Sequence, residues 1–168
     1  MLETDPPKVP FAWMATMEAP RDVFVPPINP AEIAGPSREI YAAMGRDQIY
    51  AMLEAFYVEL GKSPIAGMFT KDLIKSSRRS AAFFVQACGG PAEYSEQFGP
   101  PRMRGRHLAF TITKTARDEW LACFERVLDR AVADFSFPPQ HLEDFRRFLR
   151  DFSLWMVNTE VPLRGPRA

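Results

Sequence analysis

Eight prolines crowd the first 36 residues of this chain, at positions 6, 7, 10, 20, 26, 27, 30 and 36, half of the 16 it contains. Each fixes φ and removes a backbone donor, so no long helix can run through residues 1–36 and extended structure is favoured. That stretch reads as an arm, with a folded domain over residues 37–160 and a short C-terminal tail, 161–168. The arm also carries Phe11, Trp13, Met14, Met17, Val23, Phe24 and Val25, too much apolar surface for a purely solvated tail. It therefore packs on the globular part or on another subunit, and the second arrangement would make a homodimer through the arm.

After Pro36 the apolar residues recur at helical spacing. Ser37 suits an N-cap, Glu39 and Ile40 open a first turn, and Gly45 closes a short helix. Asp47 can cap the next, where Ile49, Met52, Leu53, Phe56, Tyr57 and Leu60 form one stripe ending at Gly61. Leu73 to Cys88 is a further helix, ended by Gly89-Gly90-Pro91. Asp118 to Phe135 and His141 to Asn158 give two more, separated by Phe137-Pro138-Pro139. No segment alternates with a period of two, so the chain is expected to be all-α.

Composition narrows the function. Lysine plus arginine number 21 and aspartate plus glutamate number 21, so no net field favours nucleic acid or an anionic membrane as a partner. No run approaches the ~18 apolar residues of a membrane span, and the N-terminus lacks the basic and then apolar segments of a secretory signal. Cys88 and Cys123 lie in apolar helical patterns, which suggests reduced thiols and a cytoplasmic setting. There is no internal repeat, glycine-rich phosphate loop or paired-cysteine zinc spacing.

The stretch GGPAEYSEQFGPPRMRGRHLAFTITKTARDEWLACF, from Gly89 to Phe124, carries the chemistry. In it His107 follows Arg102, Arg104 and Arg106 and precedes an apolar run. A lone histidine in such a setting is more often a satisfied core or surface residue than a ligand, and one imidazole gives no ligand pair to count. An imidazole between helices, with cations beside it, equally suits axial ligation of a haem iron and pairing with haem propionates. The residues alone leave both readings open. They also leave Tyr57 as a helix tyrosine with its hydroxyl in water, and Trp120 as a core anchor.

The order GGP, YSEQ, the Pro-Arg-x-Arg-x-Arg-His run and RDEWLACF resembles group II truncated haemoglobins over about residues 37 to 160. The resemblance implies a two-over-two helical sandwich around haem b, with an antiparallel pair 47–61 and 73–88 facing a pair 118–135 and 141–158. It makes His107 the proximal iron ligand, in a short helix before the second pair. On the distal side it implies that the Tyr57 hydroxyl and the Trp120 indole N–H donate to the bound ligand. Phe69 matches an aromatic that packs on the haem. Ser76 falls where other globins carry a distal histidine, and Ser80 lies one turn later, the register of 69–83 being open by one residue. Arg79, Arg104 and Arg106 are candidates for the propionates, and Tyr94 with Ser95 for ordering the loop on the haem side that leads to His107. His141 is expected to be exposed and without a ligand role. The chain departs from the family pattern at Thr70, Pro100 and Ala109, which bears on local loop geometry and removes no ligand.

The resemblance therefore implies a haem protein that binds dioxygen, carbon monoxide and nitric oxide and releases them slowly. Redox turnover of nitric oxide or peroxide would need an external reductase, because the sequence shows no flavin or nicotinamide site. The other reading is a globin-fold sensor or interaction module with weak or no haem binding, in which the arm mediates assembly.

Overall fold

The protein is described here by a computed structural model covering residues 22–160. Phe11, Trp13, Met14 and Met17 of the arm, and the tail 161–168, lie outside the described residues. Among the described residues there are eight α-helices and no strand: α1 (Ile40–Met44), α2 (Arg46–Gly61), α3 (Leu73–Ala87), α4 (Glu93–Phe98), α5 (Met103–His107), α6 (Lys114–Leu128), α7 (Ala131–Phe135) and α8 (Leu142–Met156). Short 3₁₀ turns lie at Pro30–Glu32, Ala66–Met68 and Pro139–His141. Helix α2 pairs with α3 and α6 pairs with α8, and α2 also packs against α6. The outcome is the all-α two-over-two sandwich expected from the sequence. None of the helices among the described residues is long and apolar enough to cross a membrane.

The α2 stripe explains the packing, since Ile49, Met52, Leu53, Phe56, Tyr57 and Leu60 are all buried. The centre of the sandwich is aromatic. Phe124 of α6 stacks on Phe56 of α2 at 4.1 Å and lies 5.7 Å from Phe84 of α3 and 5.9 Å from Phe145 of α8. This one ring of α6 thus touches the other three main helices, at distances where aromatic pairs add to plain burial. The free thiols Cys88 and Cys123 are buried, on α3's C-terminal cap and within α6.

Helix ends differ from the expected ones where local bonds decide. The helix expected from 118 begins at Lys114, because the Thr113 hydroxyl accepts the Ala116 N–H at 3.1 Å. It then breaks after Leu128, and α7 ends at Ser136 in the left-handed region with φ 55°. Gly45, with φ 79°, caps α2, which leaves Asp47 inside the first turn instead of at its cap. The Ser37 hydroxyl accepts the Glu39 N–H at 3.2 Å ahead of α1. At Gly89, φ is +100° and a Cβ would meet the Arg38 carbonyl oxygen at 2.0 Å, so glycine is required where α3 ends against the start of α1.

The described part of the arm lies on its own chain. The Phe24 N–H donates to the Asn158 carbonyl at 3.0 Å, Ile33 packs against the core, and Pro26 and Pro36 are buried. These contacts of the arm are made within the same chain.

Candidate functional site

Helix α5 is only five residues long, and what precedes it sets its position. The chain turns at Gly99 (φ 81°) and passes through Arg102 in the left-handed region, with φ 37° and ψ 48°. The Arg106 guanidinium folds back to donate to the carbonyls of Phe98, Pro100 and Pro101, and it sits 5.4 Å from the centre of the Tyr94 ring. Tyr94 is buried on α4. Ser95 beside it donates its N–H to the Gln86 side-chain oxygen at 3.0 Å and accepts the Gln86 amide at 2.8 Å. These contacts order the loop that delivers α5.

His107 closes α5 with its Nδ1 at 2.6 Å from the Met103 carbonyl oxygen. A carbonyl only accepts, so Nδ1 carries the proton. Burial lowers the pKa of the ring from its ordinary 6.5, the Met103 bond opposes this, and the charge of Arg79 adds to the lowering. The neutral ring therefore keeps its lone pair on Nε2, the form of an imidazole that binds a metal. The same burial gives a pH dependence. Between the lowered folded value and about 6.5, the unfolded chain takes up a proton that the folded chain refuses, so stability rises with pH across that window. The haem-free protein is expected to melt at higher temperature at pH 8 than at pH 5.5, with a weaker pH dependence in His107→Gln. Identical slopes in the two proteins would show that burial does not hold this ring neutral.

A second set of residues meets on α2 and α3. The Tyr57 and Ser80 hydroxyls are 2.7 Å apart, and the Phe69 ring stands edge-on to Tyr57 at 6.0 Å. Burial raises the pKa of Tyr57, while the Ser80 bond and the Arg79 charge pull it back, so the group remains a phenol. Trp120 is half-buried, its ring held by Phe56 and Phe124 at 5.3 Å each. Arg79 is exposed and lies 4.4 Å over the Phe98 ring. Its charge lowers the pKa of both Tyr57 and His107.

Not every expected residue joins this group. Ser76 bonds to the Thr70 hydroxyl at 2.9 Å and not to Tyr57. Arg104 and Arg106 commit their guanidiniums to backbone carbonyls. His141 differs from its expected exposure: its side chain is 16% exposed, and Nε2 lies 3.1 Å from Glu39 and 3.5 Å from the Ser37 hydroxyl. Sequence reasoning missed Asn158, which is fully buried and whose Nδ2 donates to the carbonyls of His107 at 3.1 Å and Phe110 at 3.0 Å. Only its position at the end of the last helical pattern hinted at a cap.

The rings of Phe69, Phe83 and Trp120 are partly buried and pack against the core. No cluster of three or more His, Cys, Asp or Glu able to hold a bare ion occurs among the described residues. An ion bound through His107 would therefore bring its other ligands with it. An open cleft of about 400 Å³ adjoins α5, lined by Phe83, Met103, Phe152 and Met156 with Ile33 of the arm. Tyr57, Ser80 and His107 do not line it.

Comparison with known proteins gives concordant results. A family model described as bacterial-like globin matches residues 39–158. The chain is 34% identical over 90 residues to the group 2 truncated hemoglobin YjbI of Bacillus subtilis (strain 168), a match covering 53% of this chain and 68% of that protein. Among solved structures, phosphate-bound Hell's gate globin IV superposes with a TM-score of 0.71 at 37% identity, covering 89% of this chain and 90% of that one. The group II truncated hemoglobin from Bacillus anthracis gives a TM-score of 0.63 at 31% identity, covering 71% of this chain and 95% of the other.

Proposed function

Because this chain belongs to the bacterial-like globin family, and within it to the group II truncated haemoglobins, we propose that it holds haem b through His107 and binds dioxygen reversibly. Carbon monoxide and nitric oxide would compete for the same place. What supports this reading is the His107 ring, buried, neutral and protonated on Nδ1 so that Nε2 keeps its lone pair, together with the bonded Tyr57–Ser80 pair of α2 and α3. When bound, haem would supply an iron able to take up a diatomic ligand.

The chain's own residues then define how that ligand is held. Tyr57 remains a phenol, and when Ser80 donates to its oxygen the Tyr57 O–H is left to donate into the pocket. The Trp120 N–H is a second donor on a ring that aromatic contacts hold in place. Donors fixed before the ligand arrives stabilise the partial negative charge that dioxygen acquires, so release is slow and delivery is a poor role for this protein. Of the three arginines, Arg79 is the one we assign to a propionate, since the donors of Arg104 and Arg106 are engaged by backbone carbonyls. Turnover of nitric oxide or peroxide at this site would draw its electrons from a separate reductase.

Ultraviolet-visible spectra of the purified protein, ferric, dithionite-reduced and then under carbon monoxide, test the reading. A Soret band that shifts at each step is the expected result. No band after haem is added would leave a globin-shaped interaction module. Within the haem reading, Tyr57→Phe is expected to speed dioxygen release roughly 5- to 150-fold, the range for losing a hydrogen bond of about 1–3 kcal/mol. Stopped-flow displacement by carbon monoxide measures it, and an unchanged rate would remove Tyr57 from the ligand's surroundings.

A further inference from the structure

Helix α5 cannot hold its own position. It has five residues, begins beside a left-handed Arg102, and is far shorter than the ~12 residues at which isolated helices become marginal in water. Its orientation must come from bonds to other elements, and those bonds form a closed circuit. Arg104, three residues before His107, donates from Nη1 to the carbonyls of Trp155 and, at 3.0 Å, Val157, which end α8. Its Nη2 donates to the Phe24 carbonyl of the N-terminal extension at 2.8 Å. The Phe24 N–H donates to the Asn158 carbonyl at 3.0 Å, and the Asn158 side chain donates to the His107 carbonyl at 3.1 Å, returning to α5.

The charge state fits a structural tie. Arg104 makes no ion pair among the described residues, and its guanidinium is instead surrounded by carbonyls and covered by the Trp155 ring at 4.5 Å. Terminal carbonyls of a helix are unsatisfied and carry its negative dipole end, which is the partner a cation without a carboxylate requires. The His107 ring is bonded to Met103 on the same helix, so any rotation of α5 turns the imidazole with it.

We infer that Phe24 of the N-terminal extension, Arg104 and Asn158 form a clamp that fixes α5, which makes Arg104 and Asn158 positioning residues for His107. The extension is then part of the proximal architecture and not an appended tail. This rests on reading His107 as the axial ligand, and the test separates the two ideas.

The full-length protein is compared with Arg104→Gln, with Phe24→Pro, which removes the bonded N–H on the arm, and with Arg126→Gln, which cuts a surface ion pair to Glu59 elsewhere. Two quantities are read: amide hydrogen exchange at Ile28, Arg106 and Phe110 in the haem-free protein, and the iron–histidine stretching band of the reduced, haem-loaded protein. Arg104→Gln and Phe24→Pro should each speed exchange at both the arm and α5 by at least tenfold and shift or broaden the band. Arg126→Gln should do neither. If Phe24→Pro speeds exchange only at Ile28, with α5 protection and the band unmoved, the clamp is overturned and the arm is merely packed. This variant decides the matter even if Arg104→Gln fails to fold. Absence of an iron–histidine band in the wild-type protein would overturn the ligand reading instead, while joint exchange at arm and α5 would still report the clamp.

Discussion

His107→Ala is expected to abolish the native Soret spectrum, because no second imidazole can replace the one removed. The chain has two histidines in all, and the other, His141, is engaged by Glu39 and Ser37 at the start of α8. The fold should survive, since the lost side-chain bond is local to α5, joining His107 to Met103 four residues earlier. Far-ultraviolet circular dichroism should therefore remain helical while the absorbance collapses. Adding imidazole to the His107→Gly variant should restore a band, since the free ring can occupy the space that its side chain left. A wild-type spectrum in His107→Ala would overturn the ligand assignment outright.

The second large effect concerns stability. Phe124 is 0% exposed and its ring meets Phe56, Phe84, Phe145 and Trp120, drawn from all four main helices. Phe124→Ala removes a buried ring from a position where no single helix can move in to close the gap. Such truncations cost about 3–5 kcal/mol, which for a domain of this size lowers Tm by on the order of 10 °C. Calorimetry of the haem-free protein measures it without the contribution that ligand binding makes to stability. A fall of only about 2 °C would show that the four helices repack around the void.

The main helices were legible in the sequence because their apolar residues repeat at the helical period. All six stripe residues of α2 are buried as that period requires. The family resemblance added what periodicity could not, an expectation that Tyr57 and Ser80 both lie on the distal side, and their hydroxyls are 2.7 Å apart. Short elements were harder to read. Helix α4 has six residues, too few for a period to emerge, and it is held by Gln86 from the preceding helix. The break between α6 and α7, at Asp129 and Arg130, lies inside a continuous apolar pattern, and the left-handed Ser136 marks only the end of α7. Arg104 was the least legible. As one of a run of arginines near a histidine it suggested an anion, yet its acceptors are neutral carbonyls at Phe24, Trp155 and Val157, far away in the chain. A side chain's type announces the charge it carries, whereas backbone acceptors leave no mark in the sequence.

The two thiols give the protein an internal gauge. Cys88 is 2% exposed and Cys123 is 0% exposed, and burial pushes the Cys88 thiol up to about 12. Only a thiolate reacts with disulfide or alkylating reagents, so both sulfurs are silent while the helices stay closed. Labelling must then wait for an opening event, and its rate counts how often each half of the sandwich opens. Cys88 reports on the end of α3 and Cys123 on the middle of α6. Mass spectrometry of the labelled chain would thus resolve the breathing of the two helix pairs separately, with no probe added by mutation.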